Sequence, residues 1–259
     1  MPETNPVPGA LQRAWGLRER PTRGPKPTLS VDLIVTAAVG VARAEGFAAV
    51  SMPRLAAELS TSAMTLYRYV ANKDELVLLM LEAAAGEPPH PKAPDEAWRA
   101  AVERWAHATF ALYLAEPWIL QVPIAAPPAT PRQLAWMETG LRALAGTRLA
   151  EREKLSLLML VLGYVRYDAM LRGQMVEAAR AQGGSVEAVN AEFGGLMRHL
   201  VRADRFPMLR QAIDAGAMDE PQDPAAYFGF GLARILDGMA AFIDVKNGSE
   251  TGLFIEDAG

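Results

Sequence analysis

The sequence contains no cysteine among its 259 residues. This absence excludes a disulfide scaffold, a thiol nucleophile and any metal site built on thiolate ligands. Histidine is scarce as well, and the spacing of His90, His107 and His199 matches no metal-ligand motif. We therefore expect no metal and no cofactor.

The chain also lacks an excess of positive charge and any long apolar run. Its 26 Lys and Arg against 30 Asp and Glu leave a net charge of −4, which argues against coating nucleic acid through bulk charge. A small DNA-reading module on an acidic body still fits this balance. The run from Leu157 to Val165 falls short of the roughly 18 apolar residues that span a bilayer. With no apolar signal segment at the N-terminus, we expect a cytoplasmic protein.

No stretch shows the alternation of apolar and polar residues that is typical of a strand. Between breaks at Pro and Gly, the composition is dominated by the helix formers Ala, Leu, Arg, Glu and Met. The sequence therefore predicts an all-α fold. Its expected parts are a mobile basic arm at 1–28, a compact helical domain at 29–85, a Pro-rich linker at 86–94, a larger helical domain at 95–246 and a tail at 247–259.

Capping signals divide the 29–85 domain into short helices. Ser30 and Ser51 are good N-caps for its first two helices, and Ser62 caps a third one after a turn of three residues. In the third helix, Leu66 and Val70 lie four positions apart and face the core. The other side chains of this helix largely face outward. Two helices joined by such a turn indicate a helix-turn-helix, whose second helix fits the major groove of DNA.

The same residues resemble the helix-turn-helix signature of the tetracycline-repressor (TetR) family. The resemblance is specific over residues 30–80 and is carried by Ala56-x-x-Leu59, Ser62-x-x-Thr65-Leu66-Tyr67-x-Tyr69-Val70 and Asn72-Lys73-x-x-Leu76. A weaker similarity covers the run from Phe228 to Gly238, which resembles the last helix of many members. Two departures stand out. Ser60-Thr61 occupies the turn where the family often has Gly-Val, and Tyr69-Val70 replaces a frequent His-Phe.

The resemblance implies a division of labour at the DNA. Met64, Thr65, Tyr67 and Arg68 would face bases, while Ser51, Tyr69 and Lys73 would hold the phosphate backbone. The complete predicted set of DNA-contacting residues is Ser51, Ser62, Ala63, Met64, Thr65, Tyr67, Arg68, Tyr69 and Lys73. Three alternatives stay open: Tyr67 as a packing aromatic, Lys73 as a surface charge, and the arm from Arg13 to Lys26 as a solubilising tail rather than a minor-groove contact.

The second helical domain carries most of the aromatic and thioether side chains, which suit a cavity for varied apolar ligands. Polar groups such as Asp168 interrupt its apolar runs and need a partner or a ligand. Ordinary core packing is the alternative for the aromatics and for His107. The predicted ligand-binding residues are Trp105, His107, Phe110, Tyr113, Trp118, Trp136, Met137, Tyr164, Tyr167, Asp168 and Met197.

Two helices of this domain, at 151–180 and about 224–245, are expected to pair with their copies in a second chain as a four-helix interface. The TetR resemblance implies the same arrangement. The predicted interface residues are Leu158, Leu162, Phe228, Leu232, Ile235 and Met239.

These features predict a ligand-responsive, homodimeric repressor that has no catalytic residues. The repressor is expected to bind a palindromic double-stranded DNA operator and to be released from it by a small apolar or aromatic molecule. The alternative is a helical small-molecule-binding enzyme with a vestigial DNA-binding motif. Against an enzyme stands the lack of a Ser-His-Asp order, a Gly-rich phosphate loop or a carboxylate cluster in the sequence. A third interpretation, an activator or architectural protein of the same fold, is not distinguished by sequence.

Overall fold

The computed structural model describes residues 7, 9–17, 29–124, 129–217 and 224–248, the side chains of 224–226 excepted. Within these ranges the chain forms helices and no strands, which confirms the predicted all-α fold. The helices are α1 (Gly9–Ala14), α2 (Val31–Glu45), α3 (Met52–Glu58), α4 (Ala63–Tyr67), α5 (Lys73–Ala84), α6 (Trp98–Ala115), α7 (Pro131–Ala143), α8 (Glu151–Ala181), α9 (Val186–Leu200), α10 (Pro207–Asp214) and α11 (Pro224–Gly248). Single 3₁₀ turns follow α2 at Phe47–Ala49 and α6 at Pro117–Gln121.

The chain divides into two compact units, Met1–Leu162 and Gly163–Gly259, with the boundary inside α8. The sequence placed the boundary in the Pro-rich segment 86–94 instead. That segment is indeed without helix. However, α7 packs on α5, and the 3₁₀ turn after α6 packs on α2, so this part of the predicted second domain adheres to the first unit.

Helices α2 to α5 surround the apolar core of the first unit, in which Ile34, Leu55, Leu66 and Met80 are fully buried. Each of these four helices begins at a residue whose side chain accepts a hydrogen bond from a backbone N–H in the first turn. The cap residues are Ser30, Ser51, Ser62 and Asn72. Such a cap contributes about 1 kcal/mol. The N-caps predicted at Ser30, Ser51 and Ser62 are therefore confirmed.

Part of the predicted mobile arm is a folded helix. α1 packs on α5, its Ala14 lies against the core, and the Arg13 Nε atom lies 3.0 Å from the Glu75 Oε1 atom. The prediction of a mobile arm over all of 1–28 is therefore wrong for residues 9–14, because an ion pair to a buried carboxylate and an apolar contact hold them. The arm residues from Arg18 to Lys26 lie outside the described part of the chain.

Two hydrogen bonds donated by tryptophan indoles join α6 to α7 and α7 to the end of α5. The Trp105 Nε1 atom donates to the Trp136 carbonyl at 2.9 Å, and the Trp136 Nε1 atom donates to the Ala85 carbonyl at 3.0 Å. A Cβ atom at Gly140 would lie 3.1 Å from the Trp105 ring, so a glycine lets α7 approach α6 this closely.

In the second unit, Tyr164 of α8 lies against α11. Its hydroxyl donates to the Phe228 carbonyl at 2.9 Å, and its ring stacks on that of Phe228 with centroids 5.5 Å apart. A Cβ atom at Gly231 would lie 2.3 Å from the hydroxyl oxygen. Burial raises the pKa of the Tyr164 phenol above its ordinary value of 10.0. α11 ends at Gly248, and most of the predicted tail lies outside the described residues.

Candidate nucleic-acid interface

The turn between α3 and α4 is short and sharply bent. Ser60 adopts a left-handed backbone conformation with φ of 48°, and Ser62 then caps α4. Glycine adopts a left-handed conformation most easily, so Ser60 takes a backbone conformation that is uncommon for a residue with a side chain. The turn sets α4 across α3, with which it packs.

Helix α4 has one anchored side and one exposed side. Leu66 and the following Val70 are fully buried, whereas Met64 is 76% and Tyr67 48% exposed. Arg68, directly after the helix, is exposed too. Large apolar and aromatic groups left on the surface of a short, well-anchored helix indicate a contact surface. The structure therefore places three of the four predicted base-facing residues outward.

The remaining predicted DNA-contacting residues have structural partners. Thr65 is half-buried, and its Oγ1 atom lies 2.9 Å from the Oγ atom of the exposed Ser62. Ser51 Oγ accepts the Arg54 N–H at 3.3 Å, so capping is its observed role. Ala63 and Tyr69 are half-buried and pack against the core of the first unit.

Lys73 is exposed at the start of α5. Its Nζ atom lies 5.2 Å from the centroid of the Phe47 ring, a distance at which a cation–π contact is effective. The contact restricts the ammonium group without neutralising its charge. The positive group thus remains able to meet a phosphate.

An open groove of about 360 Å³ runs beside α4. Its lining combines leucines from the start of α2 and the end of α3 with hydroxyl groups of the turn, of α4 and of the residues after α4. The lining residues are Leu29, Leu33, Leu59, Ser60, Thr61, Thr65 and Tyr69. The hydroxyls can donate hydrogen bonds to phosphate oxygens, and the leucines can contact sugar or methyl groups. The groove therefore extends the exposed surface of α4 with chemistry that suits a nucleic-acid backbone.

Trp118 was predicted to bind ligand, and the structure corrects this. It is 1% exposed and lies in the core formed by α2 to α5. Its Nε1 atom donates to the Glu116 Oε2 atom at 2.7 Å, and the same carboxylate accepts from Arg43 Nε at 2.9 Å. A side chain that is fully packed in this core has no exposed surface to offer a ligand. The missed role of Trp118 is to fasten the end of α6 to α2.

The other predicted ligand-binding residues fall into two groups. In the first unit, Trp105 and Phe110 are buried, Tyr113, Trp136 and Met137 are half-buried, and His107 is exposed. In the second unit, Tyr164 and Met197 are half-buried, Tyr167 is exposed, and Asp168 is buried against Arg172 at 2.6 Å. The Asp168 carboxylate and the Tyr164 hydroxyl thus both have protein partners.

The predicted dimer residues are mostly interior. Leu158, Phe228, Leu232 and Met239 are buried within the single chain, and Leu162 and Ile235 are half-buried. A buried side chain cannot offer area to a partner, so we no longer place these four at an interface. The same two helices expose other large apolar side chains, namely Leu155, Met159, Leu160, Tyr167, Leu171, Tyr227, Phe230, Phe242 and Val245.

Within the described ranges, no helix is both long and apolar enough to cross a membrane. The same ranges contain no cluster of three or more His, Asp or Glu side chains arranged to hold a metal ion.

A capped turn followed by an outward-facing helix defines the class of this protein: it is a helix-turn-helix protein. The profile described as "Bacterial regulatory proteins, tetR family" matches residues 34–80, and that of the "Tetracyclin repressor-like, C-terminal domain" matches residues 90–243. The chain therefore belongs to the TetR family of bacterial transcriptional regulators.

Individual relatives agree with this assignment. The HTH-type transcriptional repressor DrrR1 of Streptomyces coeruleorubidus is 37% identical over 244 residues, covering 92% of this chain and 87% of the relative. An HTH-type transcriptional regulator of Saccharopolyspora erythraea is 28% identical over 249 residues, covering 92% and 96%. Among solved structures, Streptomyces coelicolor ActR in complex with actinorhodin has a TM-score of 0.69 and 26% identity, covering 83% of this chain and 98% of ActR.

Proposed function

We propose that this regulator is a homodimeric repressor that binds a palindromic DNA operator and leaves it when a small apolar or aromatic molecule binds. The observation that carries the proposal is the outward side of α4, where Met64, Tyr67 and Arg68 stand exposed beside the buried Leu66. A repressor function is supported by the name of DrrR1, the relative at 37% identity. The names of both curated relatives describe regulators, which gives no support to a helical enzyme.

On DNA, α4 enters the major groove with its exposed side toward the base edges. Tyr67 and Met64 contact bases through their apolar surface, and Arg68 binds guanine or a phosphate. The groove beside α4 faces the DNA backbone, together with Lys73, whose ammonium group lies over the Phe47 ring. Backbone contacts hold the position, and the α4 side chains provide the sequence preference.

The ligand belongs to the α6–α7 region of the first unit. Here Trp105 and Trp136 contact each other, and the neighbouring Met137 is half-buried. A structure of ActR, at 26% identity, contains actinorhodin, and another contains (S)-DNPA. Aromatic and thioether groups adapt to flat apolar molecules, which is why we propose that ligand class.

The ligand signal reaches the DNA-binding helices through the end of α6. Glu116 is buried, accepts hydrogen bonds from Arg43 of α2 and from Trp118, and thereby ties α6 to α2. Gln121 adds a second tie, because its Oε1 atom accepts the Phe47 N–H at 3.1 Å. A shift of α6 therefore pulls on α2. Coupling of this kind typically amounts to about 1–3 kcal/mol, or about 5- to 150-fold in DNA affinity.

The dimer places two α4 helices about one helical turn of DNA, or a multiple of it, apart. Helices α8 and α11 form its interface through the apolar side chains that the single chain leaves exposed, such as Met159, Tyr227 and Phe230. As a regulator of transcription, the dimer acts in the cytoplasm, where the bacterial chromosome is.

The test is a nuclease footprint on the DNA upstream of the gene that encodes this chain. We expect a protected inverted repeat whose binding weakens steeply as salt rises, because phosphate contacts release counterions. Actinorhodin and a set of smaller aromatic compounds then serve as release probes, with glucose as a polar control. Absence of a protected repeat would contradict the operator, and protection that no aromatic compound relieves would contradict the ligand class.

A matched pair of variants on α7 tests the ligand region. Met137→Ala is expected to weaken release by an active compound while leaving the footprint intact, since it removes a half-buried thioether. Arg142→Ala, on the exposed side of the same helix, is the control and should respond like the unmodified protein. Equal behaviour of the two variants would exclude Met137 from the ligand contact.

A further inference from the structure

Arg13 of α1 reaches the segment that directly follows the proposed recognition helix α4. Its Nη1 atom donates a hydrogen bond to the Tyr69 carbonyl, and its Nε atom lies 3.0 Å from the Glu75 Oε1 atom. One guanidinium therefore holds the chain just before and just after residues 70–74. These residues carry the backbone from α4 into α5.

Glu75 depends on this cation. Its side chain is 6% exposed, and its Oε2 atom accepts the Ala71 N–H at 2.7 Å, while its own N–H donates to Asn72 Oδ1 at 2.8 Å. A buried carboxylate is strongly unfavourable unless a positive group lies beside it. Arg13 supplies that charge and so keeps Glu75 in place to hold the Ala71 amide.

The Tyr69 carbonyl is a second natural partner for Arg13. It lies two residues past the end of α4, next to a helix end whose carbonyl groups attract positive charge. The guanidinium thus fixes the end of α4 relative to α5. Tyr69 lies between the two helices and Lys73 is the first residue of α5; these are the two side chains proposed above for the DNA backbone.

A second side-chain contact holds the same, C-terminal end of α1. The Trp15 Nε1 atom donates to the Ala129 carbonyl at 2.9 Å, two residues before α7 begins. The C-terminal end of α1 is therefore tied both to the α4–α5 segment, through Arg13, and to the residues just before α7, through Trp15.

We propose that Arg13 is a positioning residue for DNA binding: through Glu75 and the Tyr69 carbonyl, it holds Tyr69 and Lys73 where they meet phosphates. The proposal rests on the proposed DNA-binding function. It assigns Arg13 a role through other residues, without a contact of its own to DNA.

The test uses the full-length protein and a DNA duplex that the unmodified protein has enriched from a random-sequence library. Arg13→Gln is expected to weaken binding of this duplex roughly tenfold. The salt dependence should fall by about two units, because each of two half-sites loses about one phosphate contact. Thermal unfolding of each variant shows whether the fold is kept, and Arg13→Lys should recover part of the affinity.

Two further variants separate positioning from the loss of a positive charge. Gln12→Ala leaves the charge of α1 unchanged, removes only the bond from Gln12 Nε2 to the Val7 carbonyl, and should bind like the unmodified protein. Glu75→Gln keeps an oxygen that can accept the Ala71 N–H but removes the ion pair with Arg13. Removing a negative charge near DNA would by itself strengthen binding, whereas lost positioning predicts binding that is several-fold weaker.

The outcomes distinguish this proposal from the one it rests on. If the unmodified protein enriches no duplex, the DNA-binding function itself fails. If it enriches a duplex that Arg13→Gln binds with unchanged affinity and salt dependence, only the role of Arg13 is overturned. Stronger or unchanged binding by Glu75→Gln also overturns it. Weaker binding by both Arg13→Gln and Glu75→Gln, with Gln12→Ala unaffected, supports it.

Discussion

Replacing Gly231 with alanine tests the closest approach between α8 and α11. The added Cβ atom would lie 2.3 Å from the Tyr164 hydroxyl oxygen and 2.6 Å from Cζ. A Cβ atom does not come that close to a non-bonded oxygen or carbon atom, so the Tyr164 side chain must move. Movement breaks the hydrogen bond to the Phe228 carbonyl and disturbs the stacking on the Phe228 ring.

The expected loss follows from three contributions. Overpacking typically destabilises by about 1–3 kcal/mol. The lost hydrogen bond adds about 1 kcal/mol. Alanine is the better helix former, which returns about 0.5–1 kcal/mol. The Gly231→Ala variant should therefore unfold with a free energy lower by about 1–3 kcal/mol.

Gly229→Ala is the matched control, because it makes the same change two residues away on the same helix. A Cβ atom at Gly229 would meet no atom within 4 Å. This variant keeps only the helix-propensity gain and should be more stable by about 0.5–1 kcal/mol. Urea unfolding followed by circular dichroism measures both variants. If Gly231→Ala is stabilised as much as Gly229→Ala, the described contact between Tyr164 and α11 is refuted.

Two further predictions concern tryptophan and tyrosine hydrogen bonds. Trp118→Phe retains most of the packing but removes the 2.7 Å bond to Glu116, so unfolding should become easier by about 1.5–3 kcal/mol; a loss no larger than that of the half-buried Trp98→Phe would contradict this. Because burial raises the pKa of the Tyr164 phenol, the native state keeps it neutral while the unfolded state ionises above pH 10.0, and stability falls as pH rises. Tyr164→Phe should be less stable by about 1 kcal/mol at neutral pH, and this difference should shrink in urea titrations above pH 10.0; a difference that stays constant would argue against the buried phenol.

Local signals in the sequence were sufficient for the helix-turn-helix. A serine directly before a helical stretch is a strong N-cap signal, and Ser51 and Ser62 both occupy such positions. The spacing of Leu66 and Val70 shows which side of α4 faces the core. These features depend on neighbours within four residues. For the same reason the outward position of Met64 and Tyr67 was predictable before any tertiary contact was known.

Long-range contacts were not predictable in the same way. Arg13 lies 62 residues from Glu75 along the chain and Arg43 lies 73 residues from Glu116, and no pattern in the sequence connects such partners. Trp118 was assigned to the ligand region because it is one of the aromatic residues of the predicted second domain, yet its turn folds back into the core of the first unit.

Four of the residues predicted for the interface are buried within the single chain for a related reason. Helix α11 has apolar residues on two sides, and periodicity detects the buried side as readily as the exposed one. Phe228 and Leu232 therefore looked like contact residues although they pack inside the chain, while Tyr227 and Phe230 are exposed. Only the position of α11 in the fold decides which side is left for a partner.

The central claim is that the exposed surface of α4 reads DNA, and the affinity of Tyr67→Ala for a footprinted operator tests it most directly. Tyr67 is an exposed side chain of α4, so its removal should disturb the fold little. We predict affinity lower by roughly tenfold or more, equivalent to about 1–3 kcal/mol, with unchanged thermal unfolding. Undiminished affinity in both Tyr67→Ala and Lys73→Ala would contradict the claim that this surface reads DNA.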